Sequence, residues 1–274
     1  MATETAFRPL LDAATTAAFG ADGVVVLRGA FAGWVERLRA GTAALMASPS
    51  PRERSYQPPD GSGFFFQDLC NWQDIPEYRA FVLEGPGGQL AAELTASKTG
   101  RFFHDHILVK EPGSSIVTPW HQDMPYYCCG GDQSVSFWIP LDPVKKAACL
   151  EVVAGSHKWG LEHRPYRFDG SPLFEDDARP AIPDIEADRS AYRIVSDDLE
   201  PGDAIAFSFR AVHGAAANTS ATRRRVFSAR FVGDDAIFID RGGKGSPPLS
   251  HLTLKTGEPL DGPDFPVVFR RPAV

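Results

Sequence analysis

Three residues in this chain have the types and spacing to hold a redox metal. His121 and Asp123 form an H-x-D triplet in "SIVTPWHQDMPYY", and His213 lies 92 positions later in "AFSFRAVHGAAANTS". Two imidazoles and one carboxylate on one face of a metal leave the opposite positions open, as suits an iron that must take a cosubstrate and dioxygen together. An H-x-D triplet alone says little in a chain with seven histidines, because such a triplet occurs often by chance. An exposed strand-end histidine beside a turn-capping aspartate would read the same way. Arg224 adds to the pattern, standing 11 positions after His213 in "TRRRVFSARF". A guanidinium deep in a pocket offers a two-pronged grip on a carboxylate. Strand alternation puts Arg224, Val226 and Ser228 on one face and Arg223 and Arg225 on the other. Only one of these faces is expected to be buried.

The elements around these residues must bring two distant segments together. Alternation along a strand over 115–123 points His121 and Asp123 to one side and Gln122 to the other. His213 is expected to end a strand that begins in "DAIAFSF", and Arg224 would point inward if its strand lies beside that one. Short strands between turns are predicted over 101–110, 115–123, 133–141, 148–153, 191–194, 203–209 and 223–232, a spacing typical of an antiparallel sandwich or barrel. The first hundred residues read differently. Helices are predicted over 8–18, 34–47, 76–84 and 88–97, with one strand at "VVVLRG" (24–29). Residues 49–62, with four prolines and one glycine, read as loop. The polar, Pro- and Asp-rich insert 159–188 reads as a surface loop of a length often found in lids.

Composition narrows the function classes. At 274 residues the chain can bury one good core, and its 43% hydrophobic and 23% charged content is ordinary for a soluble globular protein. A net charge of −7 argues against nucleic-acid binding. No run reaches the roughly 20 apolar residues of a membrane span, and "MATETAFRPLLDAATTAAFG" lacks the pattern of a signal peptide. Cys70, Cys128, Cys129 and Cys149 show no CxxC spacing and read as free thiols of a cytoplasmic protein. Oligomeric state is not legible.

The ordered segments "ADGVVVLRGAF", "HILVKEPGS", "TPWHQD", "VSFWIPLD", "ACLEVVAGSHKWG" and "HGAAANTSATRRRVFS" resemble the phytanoyl-CoA dioxygenase family of Fe(II)/2-oxoglutarate-dependent oxygenases, from about Asp22 to Gly233. The resemblance implies a mainly β (α+β) fold, a double-stranded β-helix (a cupin-like jelly roll) with N-terminal helices packed outside one sheet. It implies a single domain over 1–274, with a helical part at 1–100, a jelly-roll core at 101–233 carrying the 159–188 insert, and a C-terminal wrap at 234–274. His121, Asp123 and His213 would be the iron ligands, and Arg224 would hold the distal carboxylate of 2-oxoglutarate. Trp138 and His106 fall on positions near the cosubstrate, although Trp138 also reads as a core residue. Lys110 matches a lysine in the family's K-x-P-G stretch, and His157 reads as structural. "KKAACLEVV" departs from the family in lacking the Asn-Gly often found before "CL". The implied reaction takes Fe(II), 2-oxoglutarate and dioxygen, releases succinate and carbon dioxide, and hydroxylates a small-molecule substrate. Related halogenases have a small residue where Asp123 stands, so a carboxylate there favours hydroxylation. A metal-binding cupin-like protein without activity, and a zinc hydrolase, are the competing readings. The hydrolase lacks an H-E-x-x-H motif.

Overall fold

The computed structural model describes residues 8–58, 60–61, 63–167, 170–243, 245–247 and 249–272. Pro59 and Ser62 of the predicted 49–62 loop, and Phe168 and Asp169 of the predicted insert, lie outside the described residues, as do both chain ends.

Four helices precede the main run of strands. The first, α1 (Ala13–Asp22), starts where the Asp12 carboxylate accepts from the Thr15 amide at 2.7 Å, and it ends at Gly23 with φ +70°. Gly23 has a second role, because the His157 ring occupies the space that a side chain would need there. This places His157 as a packing residue. α2 (Val35–Ala47), α3 (Pro76–Glu84) and α4 (Gly87–Leu94) follow, with Pro76 at the first turn of α3.

The strands are β1 (Val24–Leu27), β2 (Phe65–Leu69), β3 (Thr99–Lys110), β4 (Thr118–His121), β5 (Cys129–Gly130), β6 (Ser134–Pro140), β7 (Leu150–Val153), β8 (Ile194–Val195), β9 (Ala204–Phe207), β10 (His213–Ala215), β11 (Arg224–Val232), β12 (Ile237–Phe238) and β13 (Val267–Arg270). The large sheet runs β1-β9-β6-β11-β3-β13, with β2 also on β3, and the small sheet runs β4-β10-β7-β8. All of their pairings are antiparallel. The two sheets face one another as a jelly roll, as predicted.

Two cores follow from strand alternation. The outer face of the large sheet presents Ile107, Phe137, Phe227 and Phe231, against which the helices bury Leu38, Leu45, Phe81 and Leu90. Its inner face presents Val24, Trp138, Phe207 and Val226 toward Leu150 and Val152 of the small sheet. The insert is less detached than its composition suggests. Ile182 and Ile185 pack with Trp120, Val153 and Val212 on the outer side of the small sheet.

Three expectations need correction. β11 is covered on both faces, not one, because helices shield the side away from the small sheet. The strand at 203–209 stops at Phe207, and His213 opens a separate strand in the other sheet. β10 and β11 are therefore not neighbours, and they meet across the sandwich. Sequence reading also missed β2 and β13, which join opposite ends of β3. Their partners come from distant parts of the chain, and local patterning cannot reveal them.

Candidate active site

The register of the small sheet brings the H-x-D segment and His213 together. His213 pairs directly with His121 across β10 and β4, and their rings lie 4.2 Å apart. Asp123 follows the end of β4, where bonds to a single turn hold it in place. The Met124 amide donates to the Phe209 carbonyl at 2.9 Å, and the Gln122 side chain donates to the Arg210 carbonyl at 2.8 Å. That turn leads directly into His213, so the two segments are fastened to each other beside the site. Gln122 faces away from the metal ligands, as predicted, and its carbonyl oxygen accepts from the His163 amide at 2.9 Å.

Both imidazoles are set for metal binding. The Nδ1 of His121 meets the Pro119 carbonyl at 2.8 Å, and that of His213 meets the Ala211 carbonyl at 2.9 Å. A carbonyl can only accept, so each Nδ1 carries the proton and each Nε2 presents a lone pair. Both Nε2 atoms lie 3.9 Å from Oδ1 of Asp123. That separation is about twice a metal–ligand bond of roughly 2 Å. The three ligand atoms all fall within 4.8 Å of one another. Burial, reinforced by His121, pushes His213 down to about 3, so it is neutral at physiological pH. Burial alone would raise the Asp123 carboxyl, but it lies well below its usual range, chiefly because of the Arg230 guanidinium. Two imidazoles that present Nε2 and an ionised carboxylate on one side of a cavity match the donor set of a non-haem Fe(II) site.

The large sheet supplies the opposite wall. Along β11, Arg224, Val226, Ser228 and Arg230 face inward, opposite Lys110, Leu108, His106 and His104 of β3. Ser228 is also registered against Trp138, and Arg230 against Ser136, on β6. Arg224 is buried with its guanidinium 5.7 Å from the Trp138 ring centroid. It donates to the carbonyls of Ala148 and Ala216, and its Nε has no partner. Arg223 turns out to Glu111, and Arg225 turns out to Asp142. Of the three consecutive arginines, Arg224 is therefore the one inside.

Lys110 is 0% exposed, and its Nζ reaches only backbone carbonyls in its hydrogen bonds, Ala215 at 3.4 Å and Ala216 at 3.2 Å. Burial and the neighbouring Arg224 depress it to about 6. Two basic side chains thus share a buried corner, and among the described residues neither has a carboxylate within salt-bridge distance. Such a corner is costly until an anion fills it. Between it and the triad lie the Oγ of Ser228 and the Nε2 of His106, both buried and unpartnered. Burial, followed by Arg230, pushes His106 down to about 3, leaving it neutral.

The structure therefore brings His121, Asp123 and His213 together and sets Arg224, Trp138 and His106 along one inner wall. Sequence reading did not find Arg230, a fully enclosed cation whose Nε lies 3.6 Å from Oδ2 of Asp123. The signal was available, because Arg230 continues the Arg224–Val226–Ser228 alternation by one more step. Within β2, Phe66 joins the helix-side core, whereas the Phe65 ring centroid lies 5.1 Å from the Lys110 Nζ. All four cysteines are free.

Among solved structures, the chain resembles the non-heme alpha ketoglutarate dependent carbocyclase SnoK from nogalamycin biosynthesis (TM-score 0.75, 22% identity, 96% of this chain and 100% of that one). It resembles EctD from S. alaskensis, solved with 2-oxoglutarate and 5-hydroxyectoine (TM-score 0.70, 19% identity, 93% of this chain and 88% of that one). These likenesses show the fold. A probable phytanoyl-CoA dioxygenase of Caenorhabditis elegans is 27% identical over 180 residues, covering 61% of this chain and 51% of that protein. The phytanoyl-CoA dioxygenase of Arabidopsis thaliana is 26% identical over 161 residues, covering 58% of this chain and 54% of that protein. The match thus spans about half the length of each of these relatives. The sequence pattern of the phytanoyl-CoA dioxygenase family matches residues 19–226 and takes in all three candidate metal ligands and Arg224, so the chain belongs to that family.

Proposed function

We propose that the protein is an Fe(II)/2-oxoglutarate-dependent dioxygenase that hydroxylates an unactivated C–H bond of a small molecule. The observation that carries this reading is the pairing of the triad with the uncompensated Lys110–Arg224 corner inside one sandwich. A metal-binding cupin without activity has no need of two buried basic side chains opposite its ligands. In this reading His121, Asp123 and His213 hold the iron, and Arg224 and Lys110 neutralise the distal carboxylate of 2-oxoglutarate. Ser228 and His106 offer polar atoms along the cosubstrate, and Trp138 fixes the Arg224 guanidinium by stacking. When bound, iron and 2-oxoglutarate supply the oxidising chemistry, with dioxygen consumed and succinate and carbon dioxide released. The protein contributes geometry and a dry, charge-matched cavity.

The net charge of −7 supports a small molecule over a nucleic acid as substrate, and four free thiols support a reducing, cytoplasmic setting. Among the described residues no helix is long and apolar enough to cross a membrane.

Anaerobic titration with Fe(II) and then 2-oxoglutarate tests the reading. A visible metal-to-ligand charge-transfer band is expected, and His121→Ala and Asp123→Ala should abolish it. A protein that binds iron without forming the band would be a metal-binding cupin instead. Product analysis on candidate substrates then separates hydroxylation from the ring closure or epimerisation named for proteins of this fold.

A further inference from the structure

We propose that Arg230, assisted by Ser136, is a positioning residue that keeps Asp123 bound to the metal through one oxygen only. The inference rests on the reading of the triad as a metal site. The two oxygens of Asp123 have different surroundings. Oδ1 faces both imidazole Nε2 atoms at 3.9 Å. Oδ2 is turned away, accepts from the Ser136 hydroxyl at 3.0 Å and lies 3.6 Å from the Arg230 Nε.

Arg230 is held in place by Tyr127, which also hydrogen-bonds the Asp123 carboxylate. The Arg230 Nε donates to the Tyr127 hydroxyl, a second N–H reaches the Ser228 carbonyl at 3.3 Å, and the guanidinium carbon lies 5.6 Å from the Tyr127 ring centroid. Ser136 is registered directly against Arg230 in the large sheet. One rigid sheet thus grips the far oxygen while the other sheet supplies both histidines.

The consequence concerns the open positions on the ion. A free carboxylate beside a divalent ion can swing to bind through both oxygens, which would fill a position that cosubstrate or dioxygen needs. A carboxylate oxygen has about two lone pairs to offer. With the Ser136 hydroxyl donating to Oδ2 and the Arg230 charge 3.6 Å from it, the second metal bond is suppressed. The charge of Arg230 has a further effect, because it repels a nearby divalent ion. Its removal should leave metal affinity unchanged or improved while the open face becomes more crowded. A purely structural role would instead weaken folding and metal binding together.

The test uses the full chain loaded with Mn(II), whose bound waters can be counted by magnetic resonance in isotopically labelled water. An octahedral ion with three protein ligands has three remaining positions. We expect three waters in the wild type and two in Arg230→Met, with the Mn(II) dissociation constant unchanged or lower. Arg230→Lys, which keeps a charge near Oδ2, should restore part of the third site. In the Fe(II) protein, half-saturation by 2-oxoglutarate should rise at least tenfold in Arg230→Met. Should Arg230→Met fold poorly, Ser136→Ala removes the other contact to Oδ2 and should shift the water count in the same direction. Three waters in either folded variant would overturn the proposal. Failure of the wild type to form the charge-transfer band would instead count against the oxygenase reading, since the water count needs no 2-oxoglutarate.

Discussion

Replacing Lys110 with Met should stabilise the protein and weaken its grip on 2-oxoglutarate. Among the described residues the Lys110 amine has no carboxylate within salt-bridge distance, and it is depressed from 10.5 to about 6 by burial and then by Arg224. Between those two values the unfolded chain holds a proton that the folded chain lacks, so folding stability rises with pH across that window. The slope for one proton is about 1.4 kcal/mol per pH unit. Near pH 7.5 the folded protein therefore forgoes up to about 4 kcal/mol relative to an unperturbed lysine. Methionine has nearly the same length and no charge, so Lys110→Met should recover a few kcal/mol of this, as replacement of buried charges by apolar residues often does. Denaturant unfolding of both proteins from pH 6 to 10 tests the idea, since every other titrating group cancels in the difference. The wild type should gain on the variant as pH rises. The variant should meanwhile need at least tenfold more 2-oxoglutarate to saturate the anaerobic Fe(II) protein. Parallel pH slopes would refute the claim that burial strips Lys110 of its proton, and unchanged saturation would remove it from the cosubstrate corner.

Arg224→Ala should cost roughly 1.5–3 kcal/mol of cosubstrate binding, or about 10- to 100-fold in half-saturation. Arg223→Ala and Arg225→Ala should change it by less than about twofold, because those side chains pair with Glu111 and Asp142 outside the cavity. A larger effect at either flanking arginine would reverse the assignment. Gly100→Ala would drive a methyl group into the Gly88 backbone where α4 crosses β3, at a cost of about 3 kcal/mol. A denaturation midpoint equal to that of the wild type would show that this crossing is looser than described.

The sequence by itself determined much of the chemistry. The H-x-D triplet, the distant histidine and the arginine after it stand out by residue type and spacing, and period-two alternation set the inward facing of Arg224, whereas Asp123 lies past the end of β4 and meets His121 through a turn, not through strand alternation. Helix α3 was legible to the residue because Pro76 and the apolar spacing are local signals. Tertiary structure decided which sheet each segment joined. Nothing local indicates that Phe207 ends one strand and His213 begins another in the opposite sheet, because that break is set by pairing with β4 and β7. The same is true of β2 and β13, whose ladders form with β3 across long stretches of chain. Arg230 and Lys110 acquired their meaning only from enclosure. A basic side chain is usually solvated, and only the closing of one sheet over the other removes the water and leaves each charge to find a partner inside.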